Sequence, residues 1–209
     1  MMKIESLKET ADRSGRHWVA FSDGTKLALY RQTIQDFGLY AGLELTEEQW
    51  QHLQEAAGAM SAKMRAVRIV SATSVSKKDL QQRLVQKGED PRQAAEAVAW
   101  MAELKLVDDE ETARQIAARC GAKGYGIARA KQALYEKKIP KQYWEAALAD
   151  YPDQTEQIYA FLAAKLDDKN DQKQIKKAVD ALLRRGHSYS EIRSALNRLY
   201  LELDDFPGD

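Results

Sequence analysis

One order of residue types occurs three times along this chain, at intervals of fifty and then forty-eight positions. The first copy runs Leu80, Leu84, Lys87-Gly88, then Ala94, Val98 and Met101. The second runs Ala130, Leu134, Lys137-Lys138, then Trp144, Leu148 and Tyr151. The third runs Ala178, Leu182, Arg185-Gly186, then Ile192, Leu196 and Leu199. Apolar residues spaced by four and three lie on one face of an α-helix, so each copy is a pair of amphipathic helices joined by a basic turn. A unit this small cannot bury its faces alone. Recurrence at a fixed period therefore predicts stacked supersecondary units rather than one closed catalytic domain. The predicted fold class is mainly α, with three tandem three-helix repeats forming an elongated stack at 59–107, 108–150 and 151–209.

Residues 1–58 read differently, as a small N-terminal β-hairpin module plus a helix. Apolar runs at 18–21 and 27–30 flank Ser22-Asp23-Gly24-Thr25, and Asp-Gly between such runs signals a hairpin. Residues 4–10 read as a further short strand, for two or three strands in all. Thr46 and Gln49 make a capping box that starts a helix expected to end near 57. A new apolar stripe follows at Met60, Met64, Val67 and Val70. Ser76, Asp90 before Pro91, Asp108 with Glu111, and Ser188 with Glu191 are expected N-caps. Later helices are expected at 127–137, 141–150, 155–166, 172–185 and 190–201, for nine or ten in total. Leu84, Leu134, Trp144, Leu148, Leu182 and Leu196 are expected in the core.

The net charge is zero, which conceals a pattern. Residues 61–88 hold seven cations against one carboxylate, and residues 89–111 hold two against eight. Residues 121–141 and 173–198 are each net +5, while 142–172 is −5 and the tail 199–209 is −4. Basic and acidic bands thus alternate in phase with the repeat. Either they line a strip that a partner reads electrostatically, or they are solvated faces with internal i,i+4 pairs. The candidate contact residues are those that recur in phase: Arg83 and Lys87, then Lys131, Lys137 and Lys138, then Arg184 and Arg185. Lys123, Tyr125 and Arg129 add a basic, aromatic corner beside Gly124 and Gly126 in the middle copy.

Little in the chain supports catalysis or metal binding. His17, His52 and His187 have no ligand spacing, so no metal and no cofactor is expected. Asp108-Asp109-Glu110-Glu111 is explained by a helix N-terminus, where the dipole favours acids. Gly121-Ala122-Lys123-Gly124 lacks the spacing of a phosphate loop. Lys123-Gly124-Tyr125-Gly126 matches half of an RNA-binding strand signature, yet Ile127, Ala130 and Leu134 follow at helical spacing. A loop turning into a helix is the better reading. The lone Cys120 sits at an apolar helical spacing and reads as a small core residue in a reducing cytoplasm. No apolar run approaches the roughly 20 residues a membrane-spanning helix needs. The first residues, MMKIESLKET, lack an apolar signal core.

Taken together, these segments resemble the RecX family of RecA regulators. The resemblance is carried by Ser76-Lys77-Lys78-Asp79-Leu80, Arg83-Leu84, Lys87-Gly88 and Leu104-Lys105-Leu106-Val107-Asp108-Asp109. It continues through Lys123-Gly124-Tyr125-Gly126, Arg129, Leu134, Lys137-Lys138-Ile139, Leu182-Leu183-Arg184-Arg185-Gly186 and Ser188-Tyr189-Ser190. Glu89 and His187 stand where the family pattern has an apolar residue, and Thr112 where it has an aromatic. The resemblance implies a non-enzymatic cytoplasmic regulator, expected as a monomer. Such a protein binds the RecA filament on single-stranded DNA and inhibits its ATPase and strand exchange. Direct contact with single- or double-stranded DNA is left open. The alternative is a helical-repeat nucleic-acid-binding protein with no recombinase partner.

Overall fold

The computed structural model describes residues 1–11, 15–168 and 171–204, with side chains to 200; the end of the acidic tail lies outside the described residues. It divides into two compact units, Met1–Val107 and Asp108–Asp209. The first unit opens with β1 (Met2–Glu9), β2 (Arg16–Phe21) and β3 (Lys26–Tyr30). With β4 (Glu44–Leu45) they form an antiparallel sheet in the order β3-β2-β1-β4. The hairpin turn is built as its residues dictate. Asp23 accepts hydrogen bonds from the Thr25 amide (2.9 Å) and hydroxyl (2.7 Å), and Gly24 takes φ +86°. Four strands replace the expected two or three, because β4 is only two residues long and leaves no periodic signal. Ile4, Val19, Phe21 and Leu29 turn one face of the sheet onto Trp50 and Leu53, while Trp18 stays exposed on the other. Phe21 and Trp50 meet edge to face at 4.6 Å.

α1 (Arg31–Asp36) is short, and α2 (Glu47–Ala72) is one continuous helix. The expected stop near 57 does not occur. Gly58 remains helical among alanines, and its missing Cβ has a use: it would sit 2.3 Å from the Gln93 side chain. The glycine lets the start of α4 approach, where Gln93 donates to the Glu55 carbonyl at 3.2 Å and Arg92 pairs with Glu55. α2 therefore serves two cores, the sheet through Trp50 and Leu53 and the next helices through Ala62 and Ala66. α3 (Lys77–Gln86) is capped by Ser76, and α4 (Pro91–Glu103) by Asp90. Leu80, Leu84, Ala94, Ala97 and Met101 interlock beneath them.

The second unit holds α5 (Asp109–Ala122), α6 (Ile127–Glu136), a 3-10 turn (Lys141–Tyr143) and α7 (Trp144–Leu148). α8 (Thr155–Ala163), α9 (Gln172–Arg184) and α10 (Tyr189–Asp204) follow. Ala113, Ala117, Ala130, Leu134 and Leu148 form one core cluster, and Ile158, Leu162, Ala178, Leu182, Ile192 and Leu199 another. Two expected core residues are only half-buried. The Trp144 indole donates to the Ile139 carbonyl at 3.0 Å, which holds its ring at the rim of its cluster. Leu196 borders the last cluster, where Ile192, Ala195 and Leu199 fill the face. The helix expected over 141–150 is broken into the 3-10 turn and five helical residues. At the basic turns, Gly88 and Gly186 take φ +89° and +87°, and Lys138 takes φ +57° without a glycine's freedom.

Leu134 is fully buried. Leu134→Ala is expected to lower unfolding free energy by about 2–5 kcal/mol in chemical denaturation. A loss under about 1 kcal/mol would contradict the packing of α6 described here.

Candidate functional site

The site grows from a loop of two glycines, Gly124 and Gly126. α5 ends at Ala122, and the chain reverses through Gly124 at φ +67°. The Tyr125 amide donates back to the Cys120 carbonyl at 3.1 Å, the closure expected of a glycine-ended helix. Gly126 then begins α6 in extended backbone. A Cβ at Gly126 would lie 2.0 Å from the carbonyl oxygen of Gly186, in the turn between α9 and α10. A Cβ at Gly186 would lie 2.3 Å from the Arg129 amide. Two backbones touch here. They hydrogen-bond through the Gly126 amide to the Arg185 carbonyl (3.0 Å) and the Ala128 amide to the Gly186 carbonyl (3.3 Å).

Side chains close the loop from two further directions. The buried His187 Nε2 donates to the Gly124 carbonyl at 3.1 Å. The Tyr151 hydroxyl donates to the Tyr125 carbonyl at 2.6 Å, and burial pushes that phenol up to about 12, so it keeps its proton. Gly121 leaves room for Pro152, whose ring would lie 2.6 Å from an added Cβ.

This clamp sets four of the predicted residues around one open cavity of about 430 Å³: Tyr125, Arg129, Arg184 and Arg185, with Ala181. The Arg185 guanidinium lies over the Phe161 ring at 4.8 Å, which orients it while leaving its charge. Arg129 is exposed and only loosely paired with Glu136 at 3.5 Å. Among the described residues Arg184 has no hydrogen-bond or ion-pair partner. The hydrogen-bonded backbone thus carries three cations and a phenol, and among the described residues only Arg129 of the three meets a carboxylate. Such a surface suits an anionic partner.

Other predicted residues lie elsewhere. Lys123 and Lys131 are exposed and do not line this cavity, and Lys137 and Lys138 stand half-buried at the far end of α6. Arg83 and Lys87 belong to the first unit, where they line a separate cavity of about 380 Å³ with Arg16, Arg65 and Arg68. Those three arginines were missed by sequence reasoning. Arg65 and Arg68 share a face of α2 with Ser61 and Ala72, a spacing that was present in the basic band 61–88. Reading α2 as two pieces hid it. Burial raises the Cys120 thiol, which keeps it protonated and unreactive. The acidic run at 108–111 is a cap, with Asp108 accepting from the Glu110 (2.9 Å) and Glu111 (3.1 Å) amides. Among the described residues no group of His, Cys, Asp and Glu could hold a metal ion, and no helix is long and apolar enough to cross a membrane.

Burial holds the His187 imidazole below its ordinary value of 6.5, against the upward pull of the Gly124 carbonyl and Glu191. The folded state therefore favours the neutral ring. That contribution to stability is fully present above the unfolded value and is lost as pH falls through the lower folded value. Denaturation midpoints from about pH 7 to about pH 5 should fall more steeply for the wild type than for His187→Leu. Parallel curves would show that His187 does not titrate with unfolding.

No protein-family model matches the chain. It is similar to regulatory protein RecX of Clostridioides difficile (strain 630), at 27% identity over 98% of this chain and 97% of that one. It also resembles regulatory protein RecX of Vibrio parahaemolyticus, at 30% identity over 66% of this chain and 91% of that protein. A crystal structure of regulatory protein RecX matches the fold with a TM-score of 0.66 at 19% identity, over 93% of this chain and all of that one. The crystal structure of RecX from Lactobacillus salivarius matches with a TM-score of 0.61 at 21% identity, over 70% and 99%. The shared fold is mainly helical, and the identity and coverage of the Vibrio relative decide the matter: the chain belongs to the RecX family.

Proposed function

We propose that this protein is a regulator that binds the RecA filament on single-stranded DNA and suppresses its ATPase and strand exchange. On this reading it acts as a shaped, non-catalytic surface of three tandem three-helix repeats. The supporting observation is the cavity at the α5–α6 loop, where Tyr125, Arg129, Arg184 and Arg185 converge on a clamped backbone. Its relatives are named as regulatory proteins, which fits a surface that binds rather than reacts. Arginine forks suit carboxylates and phosphates alike, so the cavity fits an acidic protein surface or the DNA within the filament.

Arg129 and Arg184 are exposed, so reversing their charge should change folding free energy by no more than about 0.5 kcal/mol. Each lost charged contact should cost binding about 1.5–3 kcal/mol. Arg129→Glu with Arg184→Glu is expected to abolish inhibition of RecA's DNA-dependent ATPase while the thermal midpoint hardly moves. Undiminished inhibition would refute this contact surface. If the wild type binds bare DNA as tightly as RecA-coated DNA, with the same salt dependence, the reading without a recombinase partner replaces it.

A further inference from the structure

The first unit contains a second basic cavity that the proposed function does not use. It lies where the sheet meets α2 and α3, and its volume is about 380 Å³. Three pieces of local structure bring its cations together. The β2–β3 register sets Arg16 opposite Tyr30. Arg65 and Arg68 follow one another along a face of α2, and Arg83 and Lys87 are four apart on α3 and its C-cap.

Among the described residues five cations line this one space and no carboxylate does. Two acids lie behind the wall. Buried Asp79 holds Arg83 at 2.9 Å, and buried Glu89 holds Arg65 at 2.5 Å. Arg65 is further fixed by donating to the Lys87 carbonyl at 3.1 Å. Each acid occupies part of a guanidinium and leaves other N–H groups of the fork available. Arg68 donates to the Tyr30 hydroxyl at 2.6 Å, a neutral partner that orients it without cancelling its charge. The Lys87 ammonium has no partner among the described residues. Among the described residues Arg68 and Lys87 meet no carboxylate, which leaves the cavity positive, an arrangement that an anion would relieve.

We infer that this cavity is a binding site for phosphate groups, separate from the α5–α6 surface. Four guanidinium forks and an ammonium line one cavity of about 380 Å³, which suits tetrahedral groups with three or more acceptor oxygens. Acidic side chains on an extended peptide recur on one side only every second residue, roughly 7 Å apart, and fit such convergence poorly. The phosphates belong either to a free polyphosphate or nucleotide or to a nucleic-acid backbone.

The test titrates the full chain with inorganic pyrophosphate and, in a second arm, with a fluorescent oligothymidylate. The same titrations are run on Arg68→Gln and on the Arg129→Glu, Arg184→Glu variant. Pyrophosphate should raise the thermal midpoint of the wild type. Arg68→Gln should weaken binding at least about tenfold with an unchanged midpoint in the absence of ligand, whereas the α6–α9 variant should bind pyrophosphate like the wild type. Binding of pyrophosphate alone assigns a free ligand. Tighter oligothymidylate binding, with an Arg68-dependent loss and a shallower salt slope, assigns a nucleic-acid backbone. Either result supports the site. No binding in both arms, binding indifferent to Arg68→Gln, or tighter Arg68-dependent binding of poly-glutamate would overturn it. Because the second variant lies in the other unit, failure here leaves the proposed function standing, and the reverse holds.

Discussion

The contact of the Gly126 and Gly186 backbones organises the second unit. With no Cβ on either side, one amide and one carbonyl approach to 3.0 Å, and a second pair to 3.3 Å. Each such bond contributes only about 1 kcal/mol net, but burying either group unpaired would cost about 1–3 kcal/mol. The seam is therefore worth more as a constraint than as a source of energy. It fixes the start of α6 against the end of α9. Arg129 and Tyr125 then have no choice but to face Arg184 and Arg185. His187 and Tyr151 add their hydrogen bonds to the same loop. The arginine-lined cavity follows from where small residues permit backbones to touch.

Charge acquires a different meaning once the fold is known. Much of the acidic half of the alternating bands is used locally. Asp90, Asp108 and Asp171 each accept amide hydrogen bonds at a helix start, and Asp153 does so ahead of α8. Asp79 and Glu89 are buried against arginines. The phase of the acidic bands thus follows from helix beginnings recurring with the repeat. Some basic residues pair locally, as Arg92 does with Glu55 and Arg114 with Glu110, while others line two open cavities. What reads along the chain as symmetric alternation is largely capping on the acidic side, with several of the cations lining open cavities on the other.

Local physics makes much of this legible in the sequence. The Asp23-Gly24 hairpin, the Thr46 capping box and the Ser76, Asp90, Asp108 and Ser188 starts all depend on residues within four positions of one another. Leu84, Leu134 and Leu182 were legible because burial follows helical period. Features set by distant partners were not. The reason for Gly58 is Gln93, and the reason for Gly126 is Gly186. His187 meets Gly124 across 63 positions, a pairing no short-range pattern encodes. The basic cavity of the first unit needed Arg16 from a strand and Arg68 from a helix, and only the tertiary fold makes them neighbours.

The account rests on the seam presenting the α5–α6 surface, and Gly126→Ala tests it most directly. Gly126 has an ordinary φ of −71°, so alanine adds no backbone strain and acts only through its methyl group against Gly186. The account predicts that affinity for the RecA–DNA filament falls at least about tenfold. It predicts too that the Gly126 and Ala128 amides lose protection from hydrogen exchange while helix content is retained. Wild-type affinity together with wild-type protection at both amides would contradict it.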